Sequence, residues 1–106
     1  MSTKHETQKS ICTWADETFG RTTFQAAYDR YWKEVAELDD VVTRAGLGAP
    51  DLPKIMNECA DVLITLYRVA QEGRFDLHDV VNAKMKLNKS RRWKADGNGV
   101  GQHIEE

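Results

Sequence analysis

Residues 24–45 read FQAAYDRYWKEVAELDDVVTRA. Within them Phe24, Tyr28, Tyr31, Val35, Leu38, Val42 and Ala45 recur at alternating spacings of four and three. An α-helix has 3.6 residues per turn, so this series falls along one of its sides, whereas a strand would need alternation at every second residue. The segment predicts one long amphipathic helix with its apolar stripe turned to a core. Gly46, Gly48, Ala49 and Pro50 close it and supply a loop.

Upstream, Ile11, Trp14, Ala15 and Phe19 keep helical spacing and predict a short helix over Ile11–Phe19, ended by Gly20. Downstream, Pro53 sits where a first helical turn tolerates it, and the helix it opens runs to Glu72, before Gly73. From Cys59 to Ala70 only Asp61, Thr65 and Arg68 are polar, so most of the circumference of that helix is expected to be buried. A last helix opens after Asp76, with Asp79 three residues on as in a capping box, and continues through Val80, Val81 and Leu87 to about Arg92. Residues 96–101, DGNGVG, are turn chemistry. The expected fold is all-α, an antiparallel bundle of about four helices joined by short loops. Residues 1–106 are read as a single domain, with 1–8 flexible and 95–106 a Gly-rich tail. Three short partners do not cover so apolar a third helix, which predicts a homo-oligomer.

Composition narrows the function classes. The longest apolar run, Val62–Ile64, is far short of the roughly 20 residues that span a bilayer. The first ten residues are polar, without the apolar stretch of a secretory signal. Cys12 and Cys59 stand too far apart for a CxxC metal site and too few for a disulfide framework. A reduced, cytoplasmic protein is expected. The net charge of −2 hides an asymmetry: residues 34–61 sum to −5 and residues 84–94, with no acid, to +6.

The acidic block carries the chemistry. Glu34 and Glu37 are three apart on the second helix, and Glu58 and Asp61 repeat the spacing on the third, which puts each pair on one face. Glu34 and Glu37 taken alone read better as a solvated flank. Glu58 and Asp61 do not, because Ile55, Val62, Leu63 and Ile64 surround them and a bare carboxylate there costs several kcal/mol. Four facing carboxylates repel unless a cation neutralises them, and hard oxygen donors suit Mg²⁺ or Mn²⁺.

The basic block supplies a counterpart. Leu77, Val81, Lys84, Asn88 and Arg91 share one helical stripe, apolar at its start and cationic at its end. An ammonium, an amide and a guanidinium in line can hold successive phosphate oxygens. Lys86 and Lys89 fit a solvated face better. A nucleic-acid surface with Trp93 as a stacking platform is a third reading, and the acidic net charge argues against it. His5, His78 and His103 lack an acid three positions earlier, so the Glu-x-x-His pattern of di-iron bundles is absent. Cys59, with no evident base, is expected to be a small core residue, and Trp32 and Tyr67 to be packing residues.

Lys33-Glu34-Val-Ala-Glu37, Glu58-Cys-Ala-Asp61 and Lys84-x-x-x-Asn88-x-x-Arg91, in that order, resemble the MazG-like all-α nucleoside triphosphate pyrophosphohydrolases, whose acidic motifs are EExxE and ExxD. Trp14-Ala15, Phe19-Gly20, Leu66-Tyr67-Arg68, Arg92-Trp93 and Gly101-Gln102-His103 narrow the resemblance to the phage-associated dATP/dGTP diphosphohydrolases, the MazZ group. The resemblance implies hydrolysis of a deoxynucleoside triphosphate, dGTP or dATP, to the monophosphate and pyrophosphate in a dimer or tetramer. It implies that Glu34, Glu37, Glu58 and Asp61 are catalytic and bind two or more Mg²⁺ or Mn²⁺ ions. It implies Lys84, Asn88 and Arg91 as the phosphate ligands, and host cytoplasm as the location of a phage-encoded protein. Trp14, with Ile11, falls in the matching segment and reads either as the wall of a base pocket or as a core anchor of its helix. One departure stands out: Lys33 replaces the first Glu of EExxE. A catalytically inert helical nucleotide- or nucleic-acid-binding module is the alternative.

Overall fold

Thr7 decides where the first helix starts. Its Oγ1 accepts the Ser10 N–H at 3.1 Å, and Ser10 Oγ accepts the Thr7 N–H at 2.8 Å, a reciprocal cap. Helix α1 is therefore Gln8–Phe19, one turn longer at its start than the apolar spacing predicts. A computed structural model of the chain describes residues 5–45, 48 and 50–104. Gln8, expected in a flexible segment, is buried, and its amide donates to Gln71 Oε1 at 3.0 Å and to the Phe75 carbonyl at 2.8 Å. Gly20 ends α1 at φ 90°, a left-handed conformation that favours glycine, and its N–H donates to the Asp16 carbonyl at 2.9 Å.

Helix α2, Phe24–Ala45, covers the quoted segment, with Thr23 Oγ1 accepting the Ala26 N–H at 3.1 Å. Of the loop residues named above, Gly46 and Ala49 lie outside the described residues. Helix α3, Leu52–Glu72, starts where Asp51 Oδ1 accepts the Lys54 N–H at 3.1 Å, with Pro53 in its first turn. Helix α4 is Leu77–Ser90, and two strands follow, β1 Trp93–Ala95 and β2 Gly101–His103. The chain divides into two compact units, one ending at Asp76 and one starting at Leu77. No helix among the described residues is long and apolar enough to cross a membrane.

In the first unit α1 and α2 each pack on α3. The side of α2 turned inward carries Ala27, Tyr31, Glu34, Val35, Leu38 and Val41. That is a rotation from the predicted stripe, because Phe24, Tyr28 and Val42 are exposed. Ala27 and Glu34 are the two buried residues on that side. It leaves a ladder of rings outside: Phe24 stacks on Tyr28 at 6.4 Å, and Tyr28 meets Trp32 edge-on at 6.1 Å. The buried apolar residues are Cys12, Ala15, Ala27, Tyr67, Val69 and Ala70 among those described. Helix α3 is thus covered near its C-terminus, while Leu52, Met56, Leu63 and Ile64 stay exposed. The expected burial of most of its circumference is not met within one chain, since α1 and α2 cover only part of it. Cys59, expected in the core, is exposed, and Cys12 is the buried cysteine, its Sγ 3.6 Å from the Tyr67 carbonyl oxygen.

In the second unit the turn residues prove to join an antiparallel hairpin, with Trp93 opposite His103 and Ala95 opposite Gly101. Asp96 Oδ1 accepts the N–H groups of Asn98 and Val100, at 2.7 and 3.1 Å, an Asx turn that holds the loop closed. The Trp93 indole N–H donates to the Asn88 carbonyl at 2.6 Å, so the hairpin is stapled to the end of α4. Part of the expected tail is therefore ordered strand. Three-residue strands are too short to show a period of two in the sequence.

Candidate active site

Glu34 and Glu37 on α2 and Glu58 on α3 converge. Each offers a carboxylate oxygen, and these oxygens lie within 4.8 Å of one another. Glu34 is only 4% exposed, Glu58 is half-buried and Glu37 exposed. Arg30, one turn earlier on α2, donates from Nη2 to Glu34 Oε1 at 2.6 Å. The second oxygens of Glu34 and Glu58 are buried without a hydrogen-bond partner. Desolvated carboxylate oxygens with no donor are costly, and a cation bound between them would satisfy both. The donor set is all hard oxygen, which fits Mg²⁺ or Mn²⁺.

Asp61 is not in this group. It is half-buried and lines a neighbouring cavity that Glu34 also lines. Its side chain is one methylene shorter than that of Glu58, and three helical residues fall about 60° short of a full turn. Three of the four expected carboxylates therefore gather, and the fourth faces the cavity beside them. Lys33, which stands where the EExxE motif has its first acid, is exposed.

The cavity has a volume of about 530 Å³ and lies among α1, α2 and α3. Trp14, Phe19, Ala26, Ala27 and Ile64 give it apolar walls, and Trp14 meets Phe19 edge-on at 5.3 Å. Trp14 is 55% exposed, which places it at the wall and not in the core. Ile11, half-buried on α1, is not among the lining residues. Arg30, Asp61, Thr22, Thr65 and Arg68 supply the polar groups.

Lys84, Asn88 and Arg91 belong to the second unit. Lys84 is exposed, Asn88 and Arg91 are half-buried, and Arg91 lies just past the end of α4 with its N–H donating to the Asn88 carbonyl at 3.2 Å. Asn88 Nδ2 points at Met85 Sδ, 3.8 Å away, while its Oδ1 is buried without a partner.

Sequence reasoning did not assign Arg30, Phe19, Asp16 or Arg68 to the site. Arg68 Nη2 donates to Asp16 Oδ1 and to the Gly20 carbonyl, both at 2.9 Å. A signal for it existed: it is the sole cation of the apolar run Cys59–Ala70, where a charge needs a partner.

No family model matches the chain. It is 37% identical over 99 residues to a dATP/dGTP diphosphohydrolase of Salmonella phage PMBT28, a match covering 93% of this chain and 31% of the relative. The chain spans about a third of the length of that curated relative. Among solved structures it resembles a MazG-like pyrophosphohydrolase of cyanophage S-2L, bound to dGDP and three catalytic Mn²⁺ ions per active site. That likeness has a TM-score of 0.66 at 24% identity and covers 92% of this chain and 93% of the other. The all-α fold expected from the sequence is thereby shown.

Proposed function

We propose that the chain is a MazG-like nucleotide pyrophosphohydrolase that hydrolyses a deoxynucleoside triphosphate, dGTP or dATP, to the monophosphate and pyrophosphate. The observation that carries this reading is the pair of buried, unpartnered oxygens on Glu34 and Glu58, next to a cavity walled by Trp14 and Phe19. The named activity of the phage relative and the ligands of the cyanophage neighbour point the same way. Glu34, Glu37 and Glu58, with Asp61 beside them, would hold two or more Mg²⁺ or Mn²⁺ ions. Bound there, the ions would neutralise phosphate charge and make hydroxide available at neutral pH. Water breaks the bond between the α- and β-phosphates and one proton is released to solvent. Lys84, Asn88 and Arg91 grip phosphate oxygens, and Trp14 accommodates the base. Phosphoryl transfer depends on positioning and charge more than on covalent chemistry. The chain works as a homo-oligomer, a dimer or tetramer, in the cytoplasm of a phage host, without nucleic acid or membrane as a partner.

Lys33 in place of an acid favours one rival, an inert module that binds nucleotide without turnover. The test is incubation with each common nucleoside triphosphate and Mg²⁺ or Mn²⁺, with products separated by chromatography. Metal-dependent appearance of pyrophosphate with a purine deoxynucleoside monophosphate is expected. Binding of nucleotide with no pyrophosphate released would decide for the rival.

A further inference from the structure

The two oxygens of Glu34 stand differently. Its side chain is 6% exposed; Oε1 accepts from Arg30 at 2.6 Å, while Oε2 is buried without a partner. Arg30 is the opposite kind of residue. Its side chain is 63% exposed, and Glu34 is its only ion-pair partner among the described residues. An exposed guanidinium keeps much of its hydration and swings on a long stem, so it gains little by staying in one place. The order of the pair weakens it further, because a cation four residues before a Glu is the poorer arrangement on a helix. A buried carboxylate has no such freedom and is costly without a cation close by. Glu34 is therefore the fixed member of the pair and Arg30 the exchangeable one.

The cluster also calls for more positive charge than Arg30 supplies. Glu34, Glu37 and Glu58 bring three carboxylates within 4.8 Å, and Arg30 answers one of them at one oxygen. Oε2 of Glu34 is open to a divalent ion as it stands, whereas Oε1 becomes open only when Arg30 lets go. We infer that Arg30 is a positioning residue that serves as an exchangeable counter-cation. It holds Glu34 inward in the metal-free protein and yields Oε1 to Mg²⁺ or Mn²⁺. The inference rests on the metal-dependent reading above. Arg30 and the divalent ion then compete for one carboxylate, and that competition sets the metal concentration at which the site fills. Lys33 carries the same charge next to Glu34, but it is exposed and makes no ion pair among the described residues.

The test titrates Mn²⁺ alone, by calorimetry, into the wild type, Arg30→Met and Lys33→Met, and melts each protein without metal and at saturating Mn²⁺. Arg30→Met should bind Mn²⁺ roughly 3- to 10-fold more tightly. Lys33→Met removes an equal charge and should change the affinity less than about 2-fold, since an exposed, unpaired charge is largely screened. Arg30→Met should also melt below the wild type without metal and level with it at saturating Mn²⁺. Arg30→Gln, which keeps a polar side chain, should repeat both results if Arg30→Met folds poorly. Unchanged or weaker Mn²⁺ binding, with a melting deficit that persists in metal, would make Arg30 a fixed strut and overturn the inference alone. Equal tightening by Lys33→Met would do the same, because the effect would then be net charge. A wild type that takes up no Mn²⁺ would overturn the metal-dependent reading and this inference with it.

Discussion

Glu58 and Asp61 stand three residues apart, yet their surroundings differ, and substitution should separate them. Glu58 faces Glu34 and Glu37 across a cluster that repels itself in the absence of a cation. Glu58→Gln should therefore raise the melting temperature of the metal-free protein and abolish the further rise produced by Mn²⁺. Asp61→Asn should leave the metal-free melting temperature nearly unchanged, since Asp61 lies outside that cluster, while still removing turnover. Differential scanning fluorimetry with and without Mn²⁺ reads both, and identical shifts for the two variants would contradict the geometry. Cys12 gives a second test. Burial pushes its thiol above the ordinary value of 9.0, and the carboxylates of Asp16 and Glu72 add to the rise against an opposing effect of Arg68. The unfolded chain then loses this proton first as pH climbs. The stabilisation is whole below about pH 9 and is lost as pH rises through the folded-state value. Cys12→Ala should flatten the alkaline limb of a stability–pH curve, and a thiol reagent should label exposed Cys59 well before Cys12.

The helices were the most legible part of the sequence, and their caps and rotations the least. A period of 3.6 locates α2 and α3, because long amphipathic runs repeat the signal many times. The start of α1 depends on two hydroxyls, Thr7 and Ser10, that carry no periodicity. Thr7→Ala should cost about 1 kcal/mol in urea unfolding. Gly20→Ala should cost about as much or more, because φ 90° strains an alanine even though its Cβ would meet open space. The acidic cluster was readable as spacing, but the inward turn of α2 was not, since the buried side carries Ala27 and Glu34, which add nothing to an apolar stripe. Arg68 was visible only as an oddity in an apolar run. The stripe of Lys84 and Asn88 on α4 and Arg91 just past its end makes a comparative claim. Lys84→Ala and Arg91→Ala should each lower kcat/KM for the triphosphate by more than Lys86→Ala or Lys89→Ala. Equal losses at all four positions would indicate a diffuse electrostatic patch.

At the scale of the whole molecule the buried core is small: three of its six apolar members are alanines, and no large side chain among the described residues is fully buried. Phe24 at 49% and Trp32 at 52% exposure share the surface of α2, and Leu52 and Met56 that of α3. Surfaces of this kind are commonly closed by a second copy of the chain. Light scattering at micromolar concentration should accordingly return a dimer or tetramer, and a monomer would refute the assembly. The exposed ring ladder of Phe24, Tyr28 and Trp32 has a consequence for handling. Where folding and association are one event, mass action enters the melting curve. The protein should melt later when concentrated and earlier when diluted, so its thermal stability is defined only together with its concentration.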